Sequence, residues 1–141
     1  MSLLQLSSGQ VWTIPEVYRE TVGAGLAKCY SDSAAIQEYF QNEVILLRQP
    51  RRRERLSGIS LTDALVIMLA GELRTAWLLV NDHALLRRAE EQGVPARFTA
   101  EYVKQLYEKR AISRRRLESL FHAFLESRRY SEEFLNALLL Q

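Results

Sequence analysis

The stretch "ISLTDALVIMLAGELRTAWLLVNDHALLRRA", Ile59–Ala89, is the part of the chain whose reading settles the fold class. Near its front, Asp63 stands against an almost unbroken apolar run from Ala64 to Ala70. A carboxylate beside a buried helix is costly unless something satisfies it. Ser60, three residues earlier, fits a capping box, and an acid in a first turn suits the helix dipole. The spacing therefore predicts a helix opened by Ser60 and running to about Leu73. A second apolar run, Ala76 to Val80, is short and continuous and reads as a buried strand. Asp82 follows it. "VNDH" also reads as a simple strand-to-helix turn, with Asn81 or Asp82 capping the helix "DHALLRRAEEQ" and Gly93 closing it. Each aspartate alone is thus explained as a cap. Together they suggest more, because a helix packed antiparallel to its strand returns the chain to the same sheet edge. Two carboxylates held close repel unless a cation intervenes, and hard divalent ions such as Mg²⁺ or Mn²⁺ take oxygen ligands.

Outward from this stretch the alternation continues. "EVILL", Glu43–Leu47, reads as another buried strand, and "PARF", Pro95–Phe98, as a short third one. Upstream, Thr13 is a candidate cap and Pro15 suits a first turn, with Ile14, Val17, Tyr18 and Thr21 on one face. "VGAGLA" breaks that helix, and "SDSAAIQEYFQN" offers a second short one with Ile36, Tyr39 and Phe40 on its face. From Thr99 onward the pattern is helical. Ser113 caps a helix bearing Leu117, Leu120, Phe121, Phe124 and Leu125 at the 3–4 spacing, and Ser131 caps the last, with Phe134, Leu135 and Leu138 inside. Strands alternating with helices of this length imply an α/β fold, a three-layer α/β/α arrangement on a short parallel sheet. Residues 1–98 read as the α/β domain, and residues 99–141 as a helical C-terminal extension packed on it. Ligands of such sheets bind beyond the carboxyl ends of the strands, where Asp82 falls.

At 141 residues the chain is most simply one domain, and 48% hydrophobic with 26% charged residues is ordinary for a globular protein. Its single cysteine, Cys29, excludes an internal disulfide framework and reads as a small filler in a reducing compartment. His83 and His122 are too few and too isolated for a zinc site. No apolar run reaches a membrane span of ~20 residues, no secretory signal is visible, and a cytoplasmic location is expected. Net charge is only +2, but the arginines are bunched: five lie between Arg48 and Arg55, namely Arg48, Arg51, Arg52, Arg53 and Arg55, and four between Arg110 and Arg116. Each cluster reads equally as a solvated segment or as a surface for a polyanion, whose phosphates suit guanidinium geometry.

The run Ser60–Ala96 resembles the second half of PIN domains, the fold of VapC-type toxin ribonucleases. That family's pattern is a Ser or Thr, an Asp, a helix ending in an Ala-x-Glu-Leu-like stretch, a hydrophobic strand, and then Thr, Asn or Asp, and Asp. It stands here as Ser60, Asp63, Ala70-Gly71-Glu72-Leu73, Ala76–Val80 and Asn81-Asp82. "IPEVYRETV" resembles the Pro-x-x-Val-x-x-Glu element of the family's first helix, which points to Glu20 as a third acid. The resemblance covers roughly Val11 to Phe98. It implies a metal-dependent endoribonuclease, with Glu20, Asp63 and Asp82 as catalytic residues and metal ligands for Mg²⁺ or Mn²⁺. Ser60 and Asn81 would support the two aspartates, and the arginines from Arg48 to Arg55 would contact nucleic acid. A small antitoxin protein is the implied partner.

One departure stands out. The family's first acid ends an opening strand, and here no Asp or Glu precedes Glu16. The domain therefore reads as N-terminally incomplete, with three accounts open: a start further upstream, a natural remnant, or a partner such as a second copy over the gap. A dimer is the expected state. "LLQL" or "QVWTI" would serve as a substitute strand, and Glu16 or Asp32 as a substitute acid. Three functions remain: an active ribonuclease, a catalytically degenerate module binding nucleic acid or a protein, and a purely structural domain whose acids are caps.

Overall fold

The computed structural model describes residues 9–23, 37–38, 40–74 and 76–141, with nothing said of the Val22 side chain. Cys29, Asp32, Ile36, Tyr39, "LLQL" and most of "VGAGLA" lie outside them. The chain gathers into two compact units, Met1–Thr75 and Ala76–Gln141. Helices and short parallel strands alternate, as the α/β reading expects.

In the first unit, β1 (Val11–Thr13) pairs in parallel with β2 (Ile45–Leu47), Val11 opposite Ile45. "QVWTI" thus supplies a strand, though not an acid. Thr13 is no cap, because the ladder takes it: its carbonyl accepts from Arg48 N at 3.0 Å. Ile14 stands at the N-cap of α1 (Pro15–Tyr18) with no side chain able to accept, and Pro15 at the first position needs no donor partner. The helix then widens into a π-helical turn, Arg19–Gly23. Tyr18 meets Phe40 edge to face at 4.8 Å. The long helix α2 (Leu61–Glu72) follows, with Ser60 as its cap. Its apolar face closes a core with Ile14, Leu65 and Leu69, flanked by Trp12 and Val17.

In the second unit, β3 (Leu78–Val80) pairs in parallel with β4 (Ala96–Phe98), and α3 (His83–Glu91) crosses between them. The helices α4 (Thr99–Glu108), α5 (Arg114–Glu126) and α6 (Glu132–Leu140) complete the chain. Ser113 and Ser131 cap α5 and α6 through Arg116 N and Phe134 N, as their positions predict. Gly93, at φ +73°, ends α3 in the left-handed region. Arg110 and Arg128 take the same conformation after α4 and α5, at φ 60° and 56°. Stops made by arginine carry no composition signal, since side chains rarely adopt that conformation.

The strands correct the expectation of full burial. Val80 and Phe98 are buried, but Trp77 is 55% exposed, Leu79 38% and Leu47 43%. An unbroken apolar run looks the same whether one face is covered or two. On the outer face Arg97 lies opposite Leu79, and its guanidinium stacks over Trp77 at 4.0 Å. The inner face carries an aromatic cluster. Phe98 meets His83, Tyr130 and Phe134 edge to face, and Tyr130 stacks on Phe134 at 5.4 Å.

Candidate functional site

In the first unit the acids meet at the start of α2. Ser60 Oγ accepts from Asp63 N at 3.1 Å, so the hydroxyl, not the aspartate, caps the helix. Among the described residues the Asp63 carboxylate takes no hydrogen bond or ion pair, although the residue is half-buried. A carboxylate in a first turn gains from the dipole alone. Glu20, carried by the π-helical turn, reaches the same helix end. Its Oε1 accepts from Thr62 Oγ1 at 3.2 Å, across 42 residues of sequence. Glu20 and Asp63 lie far apart in the sequence, and Thr62 is the residue that ties them to one place.

Glu16 has a different task. Arg53 Nη2 lies 2.9 Å from Glu16 Oε1, and that hydrogen bond holds the carboxyl below the ordinary glutamate range. A depressed folded-state value means the pair contributes stability above the unfolded-state pKa, and loses it as pH falls through the folded one. Glu16→Gln is therefore expected to flatten the acid limb of the stability curve below about pH 5. Urea midpoints at neutral and acid pH should differ less in the variant than in the wild type, and an unchanged difference would place the acid sensitivity elsewhere.

The arginine segment is anchored from below by Glu72. Its Oε1 accepts from the backbone N–H of both Arg51, at 2.5 Å, and Arg52, at 3.3 Å. Arg52 also pairs with Glu54, while among the described residues the guanidinium groups of Arg51 and Arg55 have no partner. Both are exposed, and Arg48 is half-buried. In the sequence Glu72 stands only as part of the Ala70-Gly71-Glu72-Leu73 stretch. A signal for it existed, because an acid in the last turn of a helix opposes the dipole and needs a partner from elsewhere.

In the second unit Asp82 lies two residues beyond β3, where the alternation puts it. Its Oδ1 accepts from Ala84 N at 2.9 Å and caps α3. The residue is exposed, and its other oxygen makes no bond among the described residues. Asn81, half-buried, is held from the far end of the chain by Tyr130, whose hydroxyl lies 2.6 Å from Asn81 Oδ1. His83 rests against Phe98, and His122 pairs with Glu126 on the surface of α5, so neither joins an acid cluster.

As a donor set for a metal, Glu20, Asp63 and Asp82 are all carboxylates, which fit a hard divalent ion in kind. Among the described residues no three Asp, Glu, His or Cys side chains group as a cage. Nor is any described helix long and apolar enough to cross a membrane. The family model DUF3368, described as a PIN domain, matches residues 1–141. Neither a curated protein nor a solved structure matches the chain.

Proposed function

The chain belongs to the PIN domain family, and from that premise we propose that it is a metal-dependent endoribonuclease, a VapC-type toxin component working in the cytoplasm with Mg²⁺ or Mn²⁺. The observation that carries the reading is the approach of the Glu20 carboxylate to the first turn of α2 through Thr62, beside an Asp63 carboxylate that no capping role consumes. Glu20, Asp63 and Asp82 are the proposed catalytic carboxylates and metal ligands, with Glu20 and Asp63 meeting at the start of α2. Ser60 fixes the turn from which Asp63 projects. A divalent ion so held supplies Lewis acidity toward a phosphoryl oxygen. The chain's own task is to place carboxylates and to seat the phosphodiester backbone. A small antitoxin and a second copy of the chain are the proposed protein partners.

The arginine segment fits the substrate. Glu72 fixes the backbone at Arg51, and Glu54 N donates to Met68 Sδ at 3.3 Å beside Arg55, so both exposed guanidinium groups project from anchored backbone. Arg51→Ala and Arg55→Ala should each weaken RNA binding and reduce the slope of log affinity against log salt by about 0.7, the value for one single-strand phosphate contact. Fluorescence titrations at several salt concentrations measure it. Unchanged slopes would leave the segment a solvated loop.

Cleavage of an end-labelled single-stranded RNA in Mn²⁺, repeated in EDTA, tests the activity. Cutting that needs Mn²⁺ supports the reading, and no cutting in either overturns it. A second reading, a module that binds nucleic acid or a partner protein without cutting, is favoured by the Glu16–Arg53 pair. That pair engages Glu16, one of the two substitutes the sequence offers for the family's first acid.

A further inference from the structure

We propose that Tyr130, in the segment between α5 and α6, is a positioning residue that sets the orientation of the Asn81 amide at the end of β3. For its catalytic consequence this rests on the nuclease reading, while the contact itself stands apart from it. The phenol oxygen accepts from Ala100 N at 3.2 Å, in the first turn of α4. With a lone pair used there, its proton goes to an acceptor. Two face it, Asn81 Oδ1 at 2.6 Å and Val80 O at 3.3 Å, and the shorter contact is the better bond. Burial pushes the phenol's pKa up, so it remains a donor throughout the neutral range.

An amide has one accepting end and one donating end. Binding its oxygen to Tyr130 directs the NH₂ group away from the phenol, at the strand end that also carries Asp82. A fixed donor beside a carboxylate suits a phosphodiester oxygen, whereas a freely rotating amide would present either end. The ring that holds the hydroxyl is itself fixed by Phe98, Phe124 and Phe134. The helical extension therefore has a task at the strand end beyond covering the sheet.

Tyr130→Phe keeps the ring contacts and removes only the hydroxyl, so the variant should fold. The side-chain NH₂ signals of Asn81, assigned by their loss in Asn81→Ala, should move in the Tyr130→Phe spectrum. With RNA and Mn²⁺, Tyr130→Phe should lower kcat by about 10-fold with KM little changed, the size found when a supporting partner is lost. In an Asn81→Ala background the same substitution should have no further effect on kcat, because its route is gone. Unmoved Asn81 signals, or an equal loss in both backgrounds, would overturn the proposal. Should the wild type not cut RNA at all, the nuclease reading falls by itself, and the Asn81 signals alone decide the role of Tyr130.

Discussion

Asp82→Asn should abolish Mn²⁺-dependent RNA cleavage and leave the helix it opens intact. Asp82 caps α3, the proposed function also makes it a metal ligand, and one substitution separates the two. As a cap, its Oδ1 accepts from Ala84 N. Asparagine keeps that oxygen and ranks with aspartate at this position, so α3 should survive. As the proposed metal ligand it would supply a negative charge, which asparagine lacks. Loss of a mere supporting partner costs 10- to 100-fold, so loss of a ligand should cost at least about 100-fold in cleavage. Circular dichroism and urea unfolding would confirm the fold, and single-turnover cleavage would read the activity. Asp63→Asn should behave alike, because Ser60 already caps α2. Wild-type cutting by the Asp82 variant would leave Asp82 a cap and nothing more.

Leu65→Ala should be the most destabilising truncation in the first unit. Leu65 is fully buried and shares a core with Ile14 and Leu69, directly behind the turn that carries Asp63. Removing a buried leucine side chain loses its transfer energy and leaves a cavity, together about 3 kcal/mol. With an m value of roughly 1–3 kcal/mol/M, the urea midpoint should fall by about 1–3 M. Leu140, 88% exposed, provides the control, and Leu140→Ala should shift the midpoint hardly at all. Equal shifts in the two variants would mean that α2 does not anchor its unit. The substitution should also weaken metal-dependent cleavage, since Asp63 is placed by the helix that Leu65 holds.

The sequence by itself determined the local elements of this protein. The helix from Ser60, the one opened at Asp82, the caps at Ser113 and Ser131, and the stop at Gly93 all stand where spacing puts them. A cap acts over two or three residues, so its donor and acceptor are written side by side in the chain. The placing of Asp82 just past a strand was legible for the same reason. Only the tertiary structure decided what joins distant segments. Thr13 became a strand residue because β2 offered a ladder, and that outweighed a local cap. Glu20 came to the start of α2 through Thr62, 42 residues on, and Tyr130 came to Asn81 across 49. Glu72 found its donors in the backbone of the arginine segment rather than in its own helix. Which face of β3 is left open, with Trp77 and Leu79 outward, was likewise fixed by packing. Contacts of this kind depend on the path of the whole chain, and no periodicity within a segment encodes them.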